Sequence, residues 1–323
     1  MSTYLIDGGS HIDQALTNLA IRGFSGAAGN IADQVLPIVD VANQSNAYYT
    51  IDKTSWLRVP KTLRAPLAPA NLIEWKVSSD QYFADNYALG NIIAKETIAN
   101  ADIAVQPREN GTLFVTEALA RDREVRVANL LTTSGNLGST LALVSSHATA
   151  GSVSFTNVNS SDPESSVTSA HAYIQNNTGL IANTFVTDWN TYSLLRLNSK
   201  IRNALQYTNP QPVPDNLLAS IFGVERILVG KGIKNNGLEG QTASLTSIWG
   251  GNCILAHIEN PRGLQTATVG LQMRWRPDGF PAPMAVQRFD HFDRTRNAEI
   301  VHAQYFSDEK LVAPELGVLI VNG

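Results

Sequence analysis

Few residues in this chain have the types and spacing that chemistry needs. The best metal candidate is Asp290-His291-Phe292-Asp293 with His302 further on, because Asp and His one and three apart could converge on a divalent cation. No further His or Cys at ligand spacing joins them, and Arg288, Arg294 and Arg296 are placed to pair the carboxylates instead. Gly230-Lys231-Gly232-Ile233-Lys234 follows a predicted strand, as phosphate loops do. It lacks the G-x-x-x-x-G-K-[ST] spacing and reads as a turn between strands. Gly23-Phe24-Ser25-Gly26 lacks the glycine spacing of a nucleophile elbow. Cys253 is the only cysteine, so an internal disulfide is impossible; in the apolar run Cys253-Ile254-Leu255-Ala256 it reads as a small buried hydrophobe. His11, His147, His171 and His257 belong to no motif. The expectation is a non-enzymatic protein with no catalytic residue, no metal and no cofactor. Catalytic groups do converge from distant positions, so a small α+β enzyme with its site near His291 stands as the rival.

Bulk properties narrow the class. At 323 residues the chain can bury a sizeable core, and 43% hydrophobic content excludes a disordered protein. Charged residues are 16%, low for a soluble domain, and charge depletion is a feature of interface cores. The net charge is −4 and the pI about 5.9, with no Lys/Arg block to neutralise phosphates. The segment Met1-Ser2-Thr3-Tyr4-Leu5-Ile6-Asp7 has no basic region followed by an apolar one, and no apolar run reaches membrane-spanning length. The expectation is an untrimmed protein made in the cytosol that stays soluble.

The elements that would position any site make an α+β order. Residues 1–45 read as an arm, with Gly23–Gly29 small and flexible and Asp33–Val41 extended around Pro37. Such an arm would be ordered by something outside its own segment, commonly a neighbouring chain. Ala47–Asp52 and Leu72–Val77 read as strands flanking a long extended hairpin. That hairpin carries Lys53, Trp56, Leu57, Arg58, Lys61 and Arg64 among three prolines, and loops this long are usually functional. Helical spacing covers 84–100 and, most extensively, 112–132, with Phe114, Ala118, Val125 and Ala128 on one face and Leu131 following. Arg121-Asp122-Arg123-Glu124 reads there as a solvated, self-paired face, with Glu117–Arg121 and Asp122–Arg126 as i,i+4 pairs. Asp162-Pro163 starts a helix that Gly179 ends. A strand at Phe185-Val186 precedes a helix over 188–207, and a short helix follows near Leu217–Phe222. Strands follow at Arg226–Val229, Asn252–Ile258, the strictly alternating Val269–Arg276, Ile300–Phe306 and Gly317–Val321.

The order of several segments resembles the major capsid proteins of tailed phages, which share the Hong Kong 97-like fold. The resemblance runs from about Ile31 to the C-terminus. It is carried by Ala32-Asp33-Gln34-Val35-Leu36-Pro37-Ile38-Val39, Tyr48-Tyr49-Thr50-Ile51-Asp52-Lys53, Trp56-Leu57-Arg58, Glu74-Trp75-Lys76-Val77 and Tyr82–Leu89. Thr178–Val186 before Leu194-Leu195-Arg196, Leu218–Gly230 and Ile248-Trp249-Gly250-Gly251-Asn252 continue it. The resemblance implies an N-terminal arm over 1–45 and an extended loop over 46–79 that overlaps a neighbour. It implies a peripheral domain over 80–179 with a spine helix at about 112–132. An axial domain over 180–262 and C-terminal strands over 263–323 returning to the peripheral domain complete it.

The function so implied is a structural subunit, assembling as hexamers and pentamers into an icosahedral head around double-stranded DNA. Lys53, Trp56, Leu57, Arg58, Lys61 and Arg64 would make inter-subunit contacts, with Trp56 and Leu57 as apolar anchors. Implied partners are further copies of the chain, a portal at one vertex, non-specifically held DNA, a decoration protein, and no membrane. A helical scaffolding segment carried by some family members has no counterpart here, so a separate scaffolding protein is expected. Synthesis would be in the bacterial cytoplasm and the destination the virion. An encapsulin-like compartment shell is the alternative within the same fold.

Overall fold

A computed structural model describes residues 11–12, 29–51, 57–65, 69–74, 77–101, 106–143, 153–204, 214–238, 240–261, 263–264, 266–277, 284–290 and 297–322. In chain order the elements are β1 (His11–Ile12), α1 (Ala32–Val35), β2 (Ile38–Val41), β3 (Ser45–Ile51), β4 (Val77–Phe83), β5 (Asp85–Ala94) and α2 (Lys95–Asn100). Then come α3 (Pro107–Thr132), β6 (Ser139–Leu143), α4 (Pro163–Thr178), β7 (Thr184–Asp188), α5 (Trp189–Leu197), α6 (Ser199–Ala204) and α7 (Asp215–Phe222). Eight strands follow: β8 (Arg226–Gly230), β9 (Ile233–Asn235), β10 (Leu245–Ser247), β11 (Cys253–Ala256), β12 (Gly270–Trp275), β13 (Ala285–Asp290), β14 (Ala298–Leu311) and β15 (Gly317–Asn322).

Two sheets organise these elements. One has six strands in the order β1-β13-β14-β12-β2, with β5 also pairing β14; the other has five, ordered β6-β15-β11-β7-β8. The 26-residue helix α3 serves both. Its Val115 and Leu119 pack with Ile93, Val286, Val301 and Ala303 of the six-stranded sheet. Its Val127, Ala128 and Leu131 join the larger core with Phe155, Ile174, Leu255 and Leu319. One straight element thus inserts apolar stretches at its two ends into two cores.

Between those stretches lies the polar middle of α3, and it is buried. Glu124 is 0% exposed and Arg123 5%, where a solvated face was expected. The reason is a set of buried backbone donors nearby. Glu124 Oε1 accepts from Ile31 N at 3.0 Å and from Trp249 Nε1 at 2.7 Å, and Oε2 accepts from Ala32 N at 2.8 Å. α1 is a single turn whose first N–H groups have no partner within the helix, and the Glu124 carboxylate caps them. Arg123 reaches Asp33 at 2.9 Å. Gln272 Nε2 donates to Ala32 O at 3.1 Å and Leu36 O at 2.8 Å, closing the other end of the turn. Burial raises the Glu124 pKa above the ordinary glutamate value, against the Ile31, Trp249 and Ala32 N–H groups and Arg123, which lower it. Asp122 does pair with Arg126, as its spacing predicted. Arg126 also donates to Glu309 Oε1 at 3.0 Å and Tyr305 Oη at 2.9 Å, tying α3 to β14.

The segment expected to be a detached arm is therefore internal over residues 31–41. Val35 and Leu36 are 0% exposed, and β2 adds in parallel to β12. What orders it lies within the same chain. Five other expectations change. Residues 84–100 are the strand β5 followed by α2, because Tyr87 and Ile93 face α3 with a period of two. The hairpin's second strand is Val77–Phe83, not Leu72–Val77, set by the register Ser45↔Phe83 to Ile51↔Val77. Gly270–Met273 is buried on both faces, since Gln272 points inward to the α1 carbonyls. The helix expected over 188–207 breaks at Asn198, whose Oδ1 accepts from Lys200 N and Ile201 N and so starts α6. Phe114 is 67% exposed and is not on the packed face of α3. The Asp162 cap, Pro163 start and left-handed Gly179 end of α4 match the sequence reading.

Glu124→Ala leaves three buried N–H donors without an acceptor, and unfolding in denaturant should show a loss of about 3 kcal/mol or more. Glu124→Gln keeps the shape but turns an amide NH2 toward N–H donors, so it should also destabilise, by less. At Gly230 an added Cβ would lie 2.2 Å from the Trp249 indole. Gly230→Ala should therefore cost about 1–3 kcal/mol in the same measurement.

Candidate functional site

The β3–β4 hairpin is a stem anchored by two buried tyrosines and carries an exposed loop. Tyr48 is 1% and Tyr82 3% exposed, and both pack with Met273. Tyr48 Oη donates to Asp80 Oδ2 at 2.9 Å and Tyr82 Oη to Asn43 O at 3.1 Å. The Gln81 N–H, and then the Tyr48 hydroxyl, hold the Asp80 carboxyl below the ordinary aspartate value. Phe83 N donates to Asp308 Oδ2 at 2.9 Å, which fixes the stem to β14. Burial in turn raises the Asp308 pKa.

Beyond the stem no described side chain is buried. Leu57, Arg58, Lys61 and Arg64 are all exposed. So are Val59 at 93%, Leu63 at 94%, Leu72 at 94% and Ile73 at 73%. Among the described residues, Asn71 Nδ2 joins the two limbs by donating to Lys61 O at 2.7 Å. Four of the six residues expected at the contact surface thus stand together on one exposed loop. Lys53 and Trp56 lie outside the described residues. Val59, Leu63, Leu72 and Ile73 were not singled out from sequence. The usable signal was apolar residues on an extended, proline-bearing stretch with no face to bury them. Isolated exposed apolar side chains are ordinary; a run of them at such exposure is not.

Among the described residues the chemical candidates do not gather into a site. Asp290 ends β13, while His291 and Asp293 lie outside the described residues. Among the described residues no group of three or more His, Cys, Asp or Glu could hold a metal. His302 is half-buried on β14, and desolvation lowers its pKa. Gly230-Lys231-Gly232 is the turn from β8 to β9, with Lys231 Nζ 5.0 Å from the Trp189 ring centroid. Cys253 is fully buried and its thiol is pushed up to about 12 by that burial. A cleft of about 600 Å³ beside β7 and β11 is lined by Asn183, Glu225, Arg226, His257 and Glu259. Its His257 is held by Ile181 O at 2.7 Å and Glu259 at 3.3 Å, with no nucleophile among the lining residues. No described helix is long and apolar enough to cross a membrane.

No family model matches the chain. Curated proteins do. It is 25% identical over 318 residues to the major capsid protein of Pseudomonas phage JBD67, covering 96% of each chain. It is 28% identical over 262 residues to that of Burkholderia phage BcepMu, covering 80% of each. Among solved structures it matches a phage-related protein of Bordetella bronchiseptica RB50 with a TM-score of 0.71 at 20% identity, over 97% of this chain and 98% of that one. The capsid structure of cyanophage P-SCSP1u matches with a TM-score of 0.60 at 11% identity, over 89% and 86%. A virus-like particle from Pyrococcus furiosus matches with a TM-score of 0.54 at 11% identity, over 95% and 98%. The fold is the Hong Kong 97-like fold, and the sequence is similar to phage major capsid proteins along most of its length.

Leu63→Ser and Leu72→Ser should leave unfolding of the isolated subunit within about 0.5 kcal/mol of the parent, because these side chains contact nothing that folding buries. A loss of several kcal/mol in either would mean that the loop packs on its own subunit.

Proposed function

We infer that this chain is a phage major capsid protein, the structural subunit that builds the icosahedral head. The observation that carries the reading is the end-to-end match, over 96% of both chains, to a protein named as such. The loop agrees with it. A stem fixed by Tyr48, Tyr82 and Phe83 carries large apolar and cationic side chains away from the subunit's own cores, as a lattice contact requires. A shell built from one kind of chain needs heterologous contacts that close both within rings and between them. Extended segments supply such contacts with few residues.

In this reading the loop, through Leu57, Arg58, Lys61 and Arg64 together with Lys53 and Trp56, touches a neighbouring subunit. The six-stranded sheet with α3 is the peripheral unit, and the five-stranded sheet with α4, α5 and α7 is the axial one, facing ring centres. Hexamers and pentamers form the lattice, with a portal at one vertex, a separate scaffolding protein and a decoration protein as partners. The contents are DNA, held without specific contacts. The role is structural, without catalysis, and the protein's place is the virion, after synthesis in the host cytoplasm. One alternative within the same fold, which a virus-like particle from Pyrococcus furiosus shares, is a protein compartment around a protein cargo.

Electron microscopy of the purified protein, expressed alone and with a neighbouring scaffolding gene, tests the reading. Closed shells, or regular tubes and sheets of hexamers, are expected. Small discrete particles under both conditions would overturn it. Shells from infected cells that hold protein cargo instead of DNA would turn it into the compartment reading.

A further inference from the structure

β8 ends the five-stranded sheet. It pairs in parallel with β7 and, among the described residues, with no other strand. In a parallel pair, alternate residues turn both backbone groups toward the partner strand, and the residues between turn theirs away. Arg226 N donates to Asn183 O at 3.2 Å, so Arg226, Leu228 and Gly230 face β7. The N–H and C=O groups of Ile227 and Val229 therefore point out along the free edge. The next outward residue already has a backbone acceptor, since Lys231 N donates to Gly29 O at 3.0 Å. One carbonyl thus stands where an added strand would run.

A cleft of about 400 Å³ opens on that edge, lined by Ile227 and Val229 of β8 and by Trp189, Tyr192 and Arg196 of α5. Trp189 is 48% exposed. Lys231 Nζ lies 5.0 Å from the Trp189 ring centroid and Arg196 Cζ 5.6 Å from that of Tyr192, so the two rings hold both cations at the cleft. The lining carboxylate, Asp215, accepts from the Tyr192 hydroxyl. Two cations therefore stand against one anion that is already engaged. A nucleic-acid strand fits poorly, because its phosphates would meet the Ile227 and Val229 carbonyls as well as the N–H groups. A peptide strand offers donors and acceptors in alternation, as a sheet edge requires. The exposed loop of this same chain carries Arg58, Lys61 and Arg64, which Lys231 and Arg196 would repel. β8 has only five residues, so the added strand is short.

We propose that the free edge of β8 receives a short, acidic, extended segment of a different protein. The backbone of that segment pairs with Ile227 and Val229, and its carboxylates meet Lys231 and Arg196. The ladder fixes the direction of the segment, and charge-assisted hydrogen bonds to the two cations select for acidic side chains. This goes beyond the shell-subunit reading and stands without it.

The probe is the end-blocked pentapeptide Val-Glu-Val-Glu-Val, titrated calorimetrically into the full-length protein as dispersed subunits. It should bind, with an affinity that falls as salt rises, and Val-Lys-Val-Lys-Val should bind at least about tenfold more weakly. Lys231→Glu combined with Arg196→Glu should weaken the acidic peptide by a similar factor while circular dichroism stays that of the parent. Two N-methylated forms of the acidic peptide, one for each parity of its N–H groups, test the ladder without altering the protein. One form should lose binding and the other keep it, because only one set of N–H groups faces the edge. No binding of the acidic peptide, equal binding of the lysine peptide, or equal behaviour of the two methylated forms would overturn edge docking and leave the shell reading intact. Binding of a short oligothymidylate in place of the peptide would overturn it in favour of a nucleic-acid site.

Discussion

The structure turns on one buried carboxylate. Glu124 sits where the two cores meet on α3 and accepts hydrogen bonds from the start of the α1 turn and from the Trp249 indole. An anion is costly to bury, so its place depends on every one of those donors being present. The donors come from two distant parts of the chain, residues 31–32 near the N-terminus and the loop before β11, while the acceptor stands on α3. Gly230 is glycine because the indole that serves this carboxylate occupies the space a side chain would need. Polar satisfaction, more than apolar burial, decides how the N-terminal strap, α3 and the five-stranded sheet are held together.

Around that point the chain divides its surface by task. The cores are apolar and the stem of the loop is fixed by tyrosines and by Asp308. The loop itself is left with Leu63 and Leu72 almost wholly in solvent. In a monomer such exposure only invites aggregation; in a lattice subunit it is a contact waiting for its partner. Rigidity at the base and unmet interactions at the periphery suit a protein whose stable state contains many copies.

Much of the fold was legible because it is local. The Asp162-Pro163 start and Gly179 end of α4 follow from capping and backbone freedom alone. The extent of α3 was underestimated at its start, since Pro107 opens it five residues earlier than the periodicity indicated. Misreadings came where a polar residue is buried or an exposed one is apolar. β5 was taken for a helix because its exposed apolar residues blur the period of two. The Arg123–Glu124 pair was taken for a surface because nothing near it in sequence shows the donors it serves.

The sequence by itself determined the class, the order of segments, the poverty of catalytic chemistry and the presence of an exposed apolar and basic loop. Those properties rest on composition, local conformation and spacing, which a chain carries unfolded. Only the tertiary structure decided that residues 31–41 belong to the core, that Glu124 is a cap, and that α3 serves two cores. Each of those depends on groups far apart in the chain whose hydrogen bonds are met, or left unmet, by the way the sheets close.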